Sequence, residues 1–315
     1  MNVLVTGAGG FVGKYLIQQL QAEKQNLFAV KLPHETLSVQ NVAISNLDLL
    51  DGNSVKAYLE AYRPDEIYHL AAQSSVAISW KDPQKTVDVN IKGTLNLLDA
   101  VRTVENYNPK ILLIGSGEEY GFPLDSTKAI KEDEPLKPVN IYAVTKACQN
   151  MIGAVYAKAY GMNLVMVRAF NHIGAGQSSV FVAADFAKQI AQMEAGLQPP
   201  VMKVGNLSAK RDFSDVRDVV RAYTLLMQHG TAGTTYNIGS GQAVSIQELL
   251  DILIGFSQVT VTIQQDSQKM RPVDVPLIEA DISRLQNDTG WNPLYSLKDT
   301  LYSVLEYERQ QIQKP

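Results

Sequence analysis

The chain has almost none of the residues from which disulfide frameworks and thiolate metal sites are built. It contains one cysteine, Cys148, in 315 residues, so neither an intrachain disulfide nor a multi-cysteine metal site can form. Its four histidines are scattered, with no H-x-x-x-H pair, and make no case for a metal. Excess positive charge is missing too: 28 Lys and Arg stand against 32 Asp and Glu, a formal net charge of −4. Without a Lys/Arg run the electrostatic footprint of a nucleic-acid binder is lacking, and no nucleic-acid partner is expected. An anionic ligand must then be met locally, by a few placed Arg, Lys and main-chain N–H groups. No window approaches the ~18 apolar residues of a membrane span. The first residues, Met1 to Thr6, read directly as a strand. No basic stretch followed by a cleavable apolar run precedes them, so a secretory signal is not expected and the cytoplasm is the expected location.

What is present is the balance of an ordinary globular protein, 45% hydrophobic and 19% charged, in a chain long enough for one large domain or two packed lobes. Short β-rich apolar runs alternate with helical patterns. Strands are expected at Val3–Val5, Leu27–Lys31, Glu66–Leu70, Ile111–Ile114 and Leu164–Val167. Helices are expected near Val12–Ala22, Ser54–Tyr62, Val87–Val104 and Tyr142–Ala159. This alternation means a parallel sheet covered by helices on both faces, a Rossmann-type doubly wound α/β fold. Cys148 falls within a helical pattern and reads as a small packing residue.

After about Asn171 the alternation becomes irregular. Helices near Phe181–Glu194, Val216–Gln228, Ile246–Ile254 and Leu297–Gln310 are separated by short strands such as Val201–Val204 and Val259–Ile263. The expected organisation is a dinucleotide-binding domain over residues 1–170, with returning segments near 212–240. A smaller C-terminal α/β substrate-binding lobe covers 171–211 and 241–315.

The segment Val3-Leu-Val-Thr-Gly7-Ala-Gly-Gly10-Phe11-Val12-Gly13 has the spacing Gly-x-x-Gly-x-x-Gly between a strand and a helix. Glycine permits backbone angles that other residues resist, a bare backbone lets a pyrophosphate approach the helix N-terminus, and the last glycine lets helix and strand pack closely. The bland reading is a tight turn without a ligand; the strand–turn–helix setting favours a bound dinucleotide. The second strand ends Ala29-Val30-Lys31-Leu32, with no acidic residue for the ribose 2′-hydroxyl of NAD. Lys31 could meet the 2′-phosphate of NADP, or could be a solvated lysine. NADP(H) is therefore favoured and NAD(H) stays open.

Three residues carry candidate chemistry. Tyr142 and Lys146 stand at i and i+4 in Tyr142-Ala-Val-Thr-Lys146, which places them on one face of a helix. An ammonium beside a phenol is expected to lower the phenol's pKa and make it a proton donor or acceptor near neutral pH. Ser116 follows the Ile111–Ile114 strand, at the edge where open α/β sheets bind ligands.

Together with Tyr68-His-Leu70-Ala71-Ala72 and Asn90-Ile-Lys-Gly-Thr94, these segments resemble the extended short-chain dehydrogenase/reductases that act on nucleotide sugars. The resemblance covers essentially the whole chain. It implies that Asp48 and Leu49 lie near the adenine, that Leu70, Ala71 and Ala72 lie along the cofactor, and that Lys146 also contacts the nicotinamide ribose. Asn90 would support the site behind Lys146, or be a polar contact that stabilises its helix. Ile141 stands where the family often has proline. A homodimer through helices such as the one carrying Met151, Ile152 and Val155 is implied, although plain core packing would use the same residues.

Within the family, Phe170-Asn171-His172-Ile173-Gly174, Lys188-Gln-Ile190, Val204-Gly-Asn206, Lys210-Arg211-Asp212-Phe213 and Arg271-Pro-Val-Asp274 look like the branch that handles GDP-mannose derivatives. The implied activity is NAD(P)H-dependent reduction of the 4-keto group of GDP-4-keto-6-deoxy-D-mannose to GDP-D-rhamnose. Arg211 and Arg271 suit a diphosphate, although Arg211 beside Asp212 could be a local surface pair. Asn171 suits a phosphate or sugar oxygen, and Asp274 suits ribose hydroxyls. Lys188 and Val204 complete the expected substrate site, with Lys188 either facing the base or simply exposed. The rival is GDP-mannose 4,6-dehydration, for which Glu118 would be the base; a nucleotide-sugar 4-epimerase is third. A non-catalytic dinucleotide sensor is disfavoured because Ser116, Tyr142 and Lys146 are all present.

Overall fold

Short strands buried on both faces pair in parallel when a helix covers each crossover. In the computed structural model, which describes residues 1–23, 25–125, 127–270 and 273–313, strand β1 (Asn2–Thr6) leads into helix α1 (Phe11–Ala22), β2 (Asn26–Lys31) and β3 (Ala43–Asn46). Next come α2 (Gly52–Tyr62), β4 (Glu66–His69), the short helices α3 (Val76–Lys81) and α4 (Pro83–Val87), and α5 (Gly93–Thr103). Then follow β5 (Lys110–Ser116), α6 (Ile141–Tyr160), β6 (Leu164–Ala169) and β7 (Asn171–Ile173). Helix α7 (Val182–Glu194), β8 (Val201–Val204), β9 (Lys210–Asp215) and α8 (Val216–His229) precede β10 (Thr235–Ile238). The chain ends with β11 (Ala243–Ser245), α9 (Ile246–Ile254), β12 (Thr262–Gln265), β13 (Leu277–Ile278), α10 (Ser283–Thr289) and α11 (Leu297–Gln313).

The main sheet has seven strands in the order β10-β6-β5-β4-β1-β2-β3, and every pairing in it is parallel. The winding reverses between β4 and β1, and a crevice at the carboxyl ends of the strands flanking such a reversal is where these sheets take ligands. Alternate residues of β1 feed opposite cores, as a period of two requires. Val3 and Val5 pack with Leu16, Ile17 and Leu20 of α1 and Val219 and Leu226 of α8. Leu4 packs with Leu59 of α2 and Leu97 and Leu98 of α5.

A second core gathers Phe186 and Ile190 of α7, Leu249 and Leu253 of α9, and Leu301 and Leu305 of α11. Beside it β9 pairs with β7, β11 and β13. Strand β12 pairs with β8 from Thr262 to Gln265, so the strand expected at Val259–Ile263 starts later, where that pairing begins. Strand β10, within the 212–240 segment expected to return to the dinucleotide-binding domain, pairs with β6 in the main sheet. The helix expected over Val87–Val104 is broken by one π-helical turn at Asp88–Lys92.

Helix α6 owes its start to Asn140, whose Oδ1 accepts the Ala143 N–H at 2.8 Å. With the cap supplied, Ile141 fills the first helical position without proline. Among the described residues, no helix is long and apolar enough to cross a membrane.

Candidate active site

A cavity of about 810 Å³ runs along the carboxyl ends of β1, β2, β4, β5 and β6 and on to β9. The glycine turn forms one end. Gly7 has φ +67°, and a Cβ there would lie 2.7 Å from the Ala71 nitrogen. A Cβ on Gly13 would lie 2.6 Å from the Ala8 carbonyl oxygen. Gly10 caps α1 with no side-chain hydrogen bond, so main-chain N–H groups of the first turn lack an intrahelical partner beside the cavity. A bare backbone, close to a second loop and carrying the positive end of a helix, fits a pyrophosphate. Phe11, Val12, Asp48, Leu49, Leu70, Ala71 and Ala72 all line the same cavity.

The end of β2 presents charges of both signs. Lys31 lines the cavity, and its Nζ donates to the Leu32 carbonyl at 3.2 Å and to Asn46 Oδ1 at 3.0 Å. Glu35 lines it as well and accepts the Leu32 N–H at 2.8 Å. It lies in the loop beyond the end of β2, so the pattern of an acidic residue at the strand's end does not point to it.

Ser116, Tyr142 and Lys146 meet on the cavity wall, and all three are buried. Ser116 ends β5; its Oγ accepts the Glu118 N–H at 3.2 Å and shares a hydrogen bond with the Tyr142 phenol. Lys146 Nζ donates to the Ile114 carbonyl at 2.7 Å and to Gln149 Oε1 at 3.1 Å. Burial pushes the Lys146 pKa down to about 8, with Glu119 opposing.

The Tyr142 phenol differs from expectation. Burial raises its pKa, the charges of Glu118 and Glu119 add to the rise, and only the Ser116 hydrogen bond lowers it. The ammonium of Lys146 is spent on Ile114 and Gln149, and desolvation dominates. The phenol is therefore held protonated. Glu118 lies next to it on the cavity wall and accepts from Asn140 Nδ2 at 3.1 Å.

Behind Lys146 sits His69, fully buried between the hydroxyls of Thr6 at 2.9 Å and Thr94 at 3.0 Å. Burial, with the Lys146 charge adding to it, drives its pKa down to about 3, so the imidazole is neutral. Asn90 is on the π-helical turn. Its Oδ1 accepts the Gln73 N–H at 2.8 Å, and its Nδ2 donates to the Gln73 carbonyl at 3.1 Å and to Thr145 Oγ1 at 2.9 Å. It ties the loop after β4 to α6, one residue before Lys146.

At the far end, Arg211, Asp274 and Asn171 line the cavity. Arg211 is buried, not the surface partner of Asp212. Its Nη2 donates to Asp274 Oδ1 at 2.5 Å and its Nη1 to the Val275 carbonyl at 2.6 Å. Asn206 Nδ2 donates to Asp274 Oδ2 at 2.8 Å. Asp212, one residue along β9, points away and accepts from Ser240 and Gly241.

Lys188 and Val204 are not brought to the cavity. Lys188 is exposed on α7 and acts on Glu308 of α11. Val204 points into the second core, while its neighbours Gly205 and Asn206 reach the cavity. Arg271 lies outside the described residues.

A family model described as GDP-mannose 4,6 dehydratase matches residues 4–304. The chain belongs to this family. It is thus one of the extended short-chain dehydrogenase/reductases. It is 37% identical over 304 residues to a GDP-6-deoxy-D-mannose reductase of Pseudomonas aeruginosa, covering 96% of each chain. A solved structure of RMD from Pseudomonas aeruginosa complexed with NADPH superposes with a TM-score of 0.85 at 35% identity, over 98% of this chain and 99% of that one. A Thermus thermophilus UDP-glucose 4-epimerase complex with NAD superposes with a TM-score of 0.87 at 26% identity, over 98% and 99%.

Proposed function

We propose that this chain reduces the 4-keto group of GDP-4-keto-6-deoxy-D-mannose, with NADPH, to give GDP-D-rhamnose. The buried Tyr142 phenol carries the reading: it is protonated and hydrogen-bonded to Ser116, on the wall of one cavity that the glycine turn and Arg211 also line. A ketoreductase needs a proton donor at that place. The similarity to a relative named as a GDP-6-deoxy-D-mannose reductase supports the substrate.

The cavity walls would hold a reduced nicotinamide, which when bound would supply hydride for C4 of the sugar. Tyr142 gives its proton to the carbonyl oxygen as that oxygen gains charge. Ser116 hydrogen-bonds the same oxygen, and the Lys146 ammonium stabilises the phenolate left on Tyr142 and binds the nicotinamide ribose. The Gly7–Gly13 turn, with Phe11 and Val12, holds the pyrophosphate through main-chain N–H groups. Asp48 and Leu49 flank the adenine, and Leu70, Ala71 and Ala72 support the dinucleotide between. Arg211 and Asn171 face the GDP diphosphate, with Arg271 assigned there on sequence alone. Asp274 orients Arg211 and meets a ribose hydroxyl.

Lys31 favours the 2′-phosphate and Glu35 opposes it; the similarity to a structure complexed with NADPH supports NADPH as the preferred donor, with NADH a slower one. Residues 1–170 with 212–240 bind the dinucleotide, and 171–211 with 241–315 bind the nucleotide sugar. Val144, Cys148, Met151 and Val155 form an apolar strip along α6 beside Leu136 and Pro138; a second copy covers it in a cytoplasmic homodimer. One observation favours dehydration instead: Glu118 stands on the cavity wall beside Tyr142, where a base could act on the sugar.

Tyr142→Phe tests the reading. NADPH oxidation with the keto sugar is expected to fall about 1,000-fold, while NADPH still binds. A wild-type rate in the variant would overturn it.

A further inference from the structure

Glu119 is a carboxylate with no exposed surface, one residue past Glu118, and the reaction above does not use it. Three elements donate to it. The Ser116 N–H reaches Oε1 at 2.8 Å from the end of β5. Asn150 Nδ2 on α6 reaches Oε1 at 2.7 Å and Oε2 at 2.8 Å. Arg168 Nε on β6 reaches Oε2 at 3.0 Å. Burial raises the Glu119 pKa, and the Arg168 charge and the N–H donors of Asn150 and Ser116 oppose that rise; both oxygens face N–H donors, an arrangement that the ionised carboxylate satisfies and a neutral amide cannot.

Asn150 is one helical turn beyond Lys146, and Lys146 one turn beyond Tyr142. The Glu119 carboxylate thus joins the Ser116 main chain to the helix that carries Tyr142 and Lys146. Gly115 makes room for this junction, since a Cβ there would overlap Glu119 Oε1 and Asn150 Nδ2. Arg168 is itself fixed on its far side by the Tyr120 hydroxyl at 2.8 Å and the Glu132 carbonyl at 2.9 Å.

We infer that Glu119 is a positioning residue for the ketoreduction: its buried carboxylate clamps Ser116 to helix α6, sets the Ser116–Tyr142 hydrogen bond, and keeps a negative charge near Lys146. The inference rests on the ketoreductase reading of the site. Glu119 is the carboxylate that opposes the effect of burial on Lys146. Among the described residues, His69 of β4, held neutral, also feels that ammonium, and Tyr142 stands one helical turn before it on its own helix. Glu118 acts on Tyr142.

The test compares wild type with Glu119→Gln. It also uses Glu119→Gln combined with Arg168→Met, because a buried guanidinium left without its carboxylate can prevent folding and removing that charge as well avoids this. NADPH affinity and KM for the keto sugar are expected to stay within about threefold, while kcat falls about 100-fold. The reactivity of Lys146 with an amine-directed reagent, followed against pH by mass spectrometry, needs no turnover. Its midpoint is expected to move to lower pH in Glu119→Gln, and by less in the double variant, which loses a cation together with the anion. A folded variant with wild-type kcat, or with an unmoved Lys146 midpoint, overturns the inference. Wild-type protein that reduces no keto sugar would refute the ketoreductase reading instead, and the Lys146 midpoint would still decide the clamp.

Discussion

The Lys146 ammonium and the Ile114 main-chain carbonyl are joined by a 2.7 Å hydrogen bond where α6 crosses the end of β5. The contact aims the ammonium along the cavity wall but leaves it in a dry site, where burial pushes its pKa down to about 8. In the substrate-free enzyme Lys146 therefore loses its proton above about pH 8, and its support of the Tyr142 phenolate goes with it. A pH profile of kcat/KM is expected to show an alkaline limb with an apparent pKa near 8.

The same burial affects stability. An unfolded lysine keeps a pKa near 10.5 and the folded one has about 8, so between those values the unfolded state binds more protons and stability rises with pH. Below about pH 8 the buried charge costs about 3 kcal/mol. Lys146→Met removes that cost, and the Ile114 carbonyl still accepts from Gln149 Nε2 at 3.2 Å. The variant is expected to unfold at a higher temperature than wild type at pH 7, with the gap narrowing toward pH 10. Thermal unfolding at the two pH values checks this, and a less stable variant at pH 7 would contradict it.

Arg211 and Asp274 form a largely buried pair at the sugar-nucleotide end. Asp274→Ala removes the acceptor of both Arg211 Nη2 and Asn206 Nδ2 and is expected to destabilise the protein by about 3 kcal/mol. KM for the GDP-sugar should rise about tenfold or more, the worth of a charge-assisted contact, with NADPH affinity unchanged. Isothermal titration with NADPH alongside steady-state kinetics separates the two effects.

The alternating strands and helices of the first half, the glycine turn and the pairing of Tyr142 with Lys146 were legible because each is local: a period, a turn or a single helix face. What stayed hidden depends on distant partners. Strand β10 joins the main sheet only by lying beside β6. The helix through Asn90 takes a π-helical turn at the place where that side chain bonds Gln73 and Thr145. Arg211 finds Asp274 across 63 residues, while its neighbour Asp212 turns the other way. The motif leaves Lys188 either facing the base or exposed, and the register of α7 puts it on the solvent face. The rise in the Tyr142 pKa comes from burial, which the spacing Tyr-x-x-x-Lys does not report.

Lys31 and Glu35 stand at the same end of the cavity with opposite charge. Glu35→Gln is expected to favour NADPH over NADH by about tenfold more than wild type, and Lys31→Ala to reverse the preference by a similar factor, each being about 1.4 kcal/mol. Dissociation constants for the two cofactors, measured at one salt concentration, check both.

The most direct measurement of the central claim follows NADPH absorbance with two substrates supplied separately. With GDP-4-keto-6-deoxy-D-mannose, NADPH is expected to be consumed one for one as GDP-D-rhamnose forms. With GDP-mannose no consumption and no keto product are expected. Conversion of GDP-mannose to its 4-keto-6-deoxy derivative without added reductant, and no NADPH loss with the keto sugar, would contradict the ketoreductase account and make Glu118 the residue to explain.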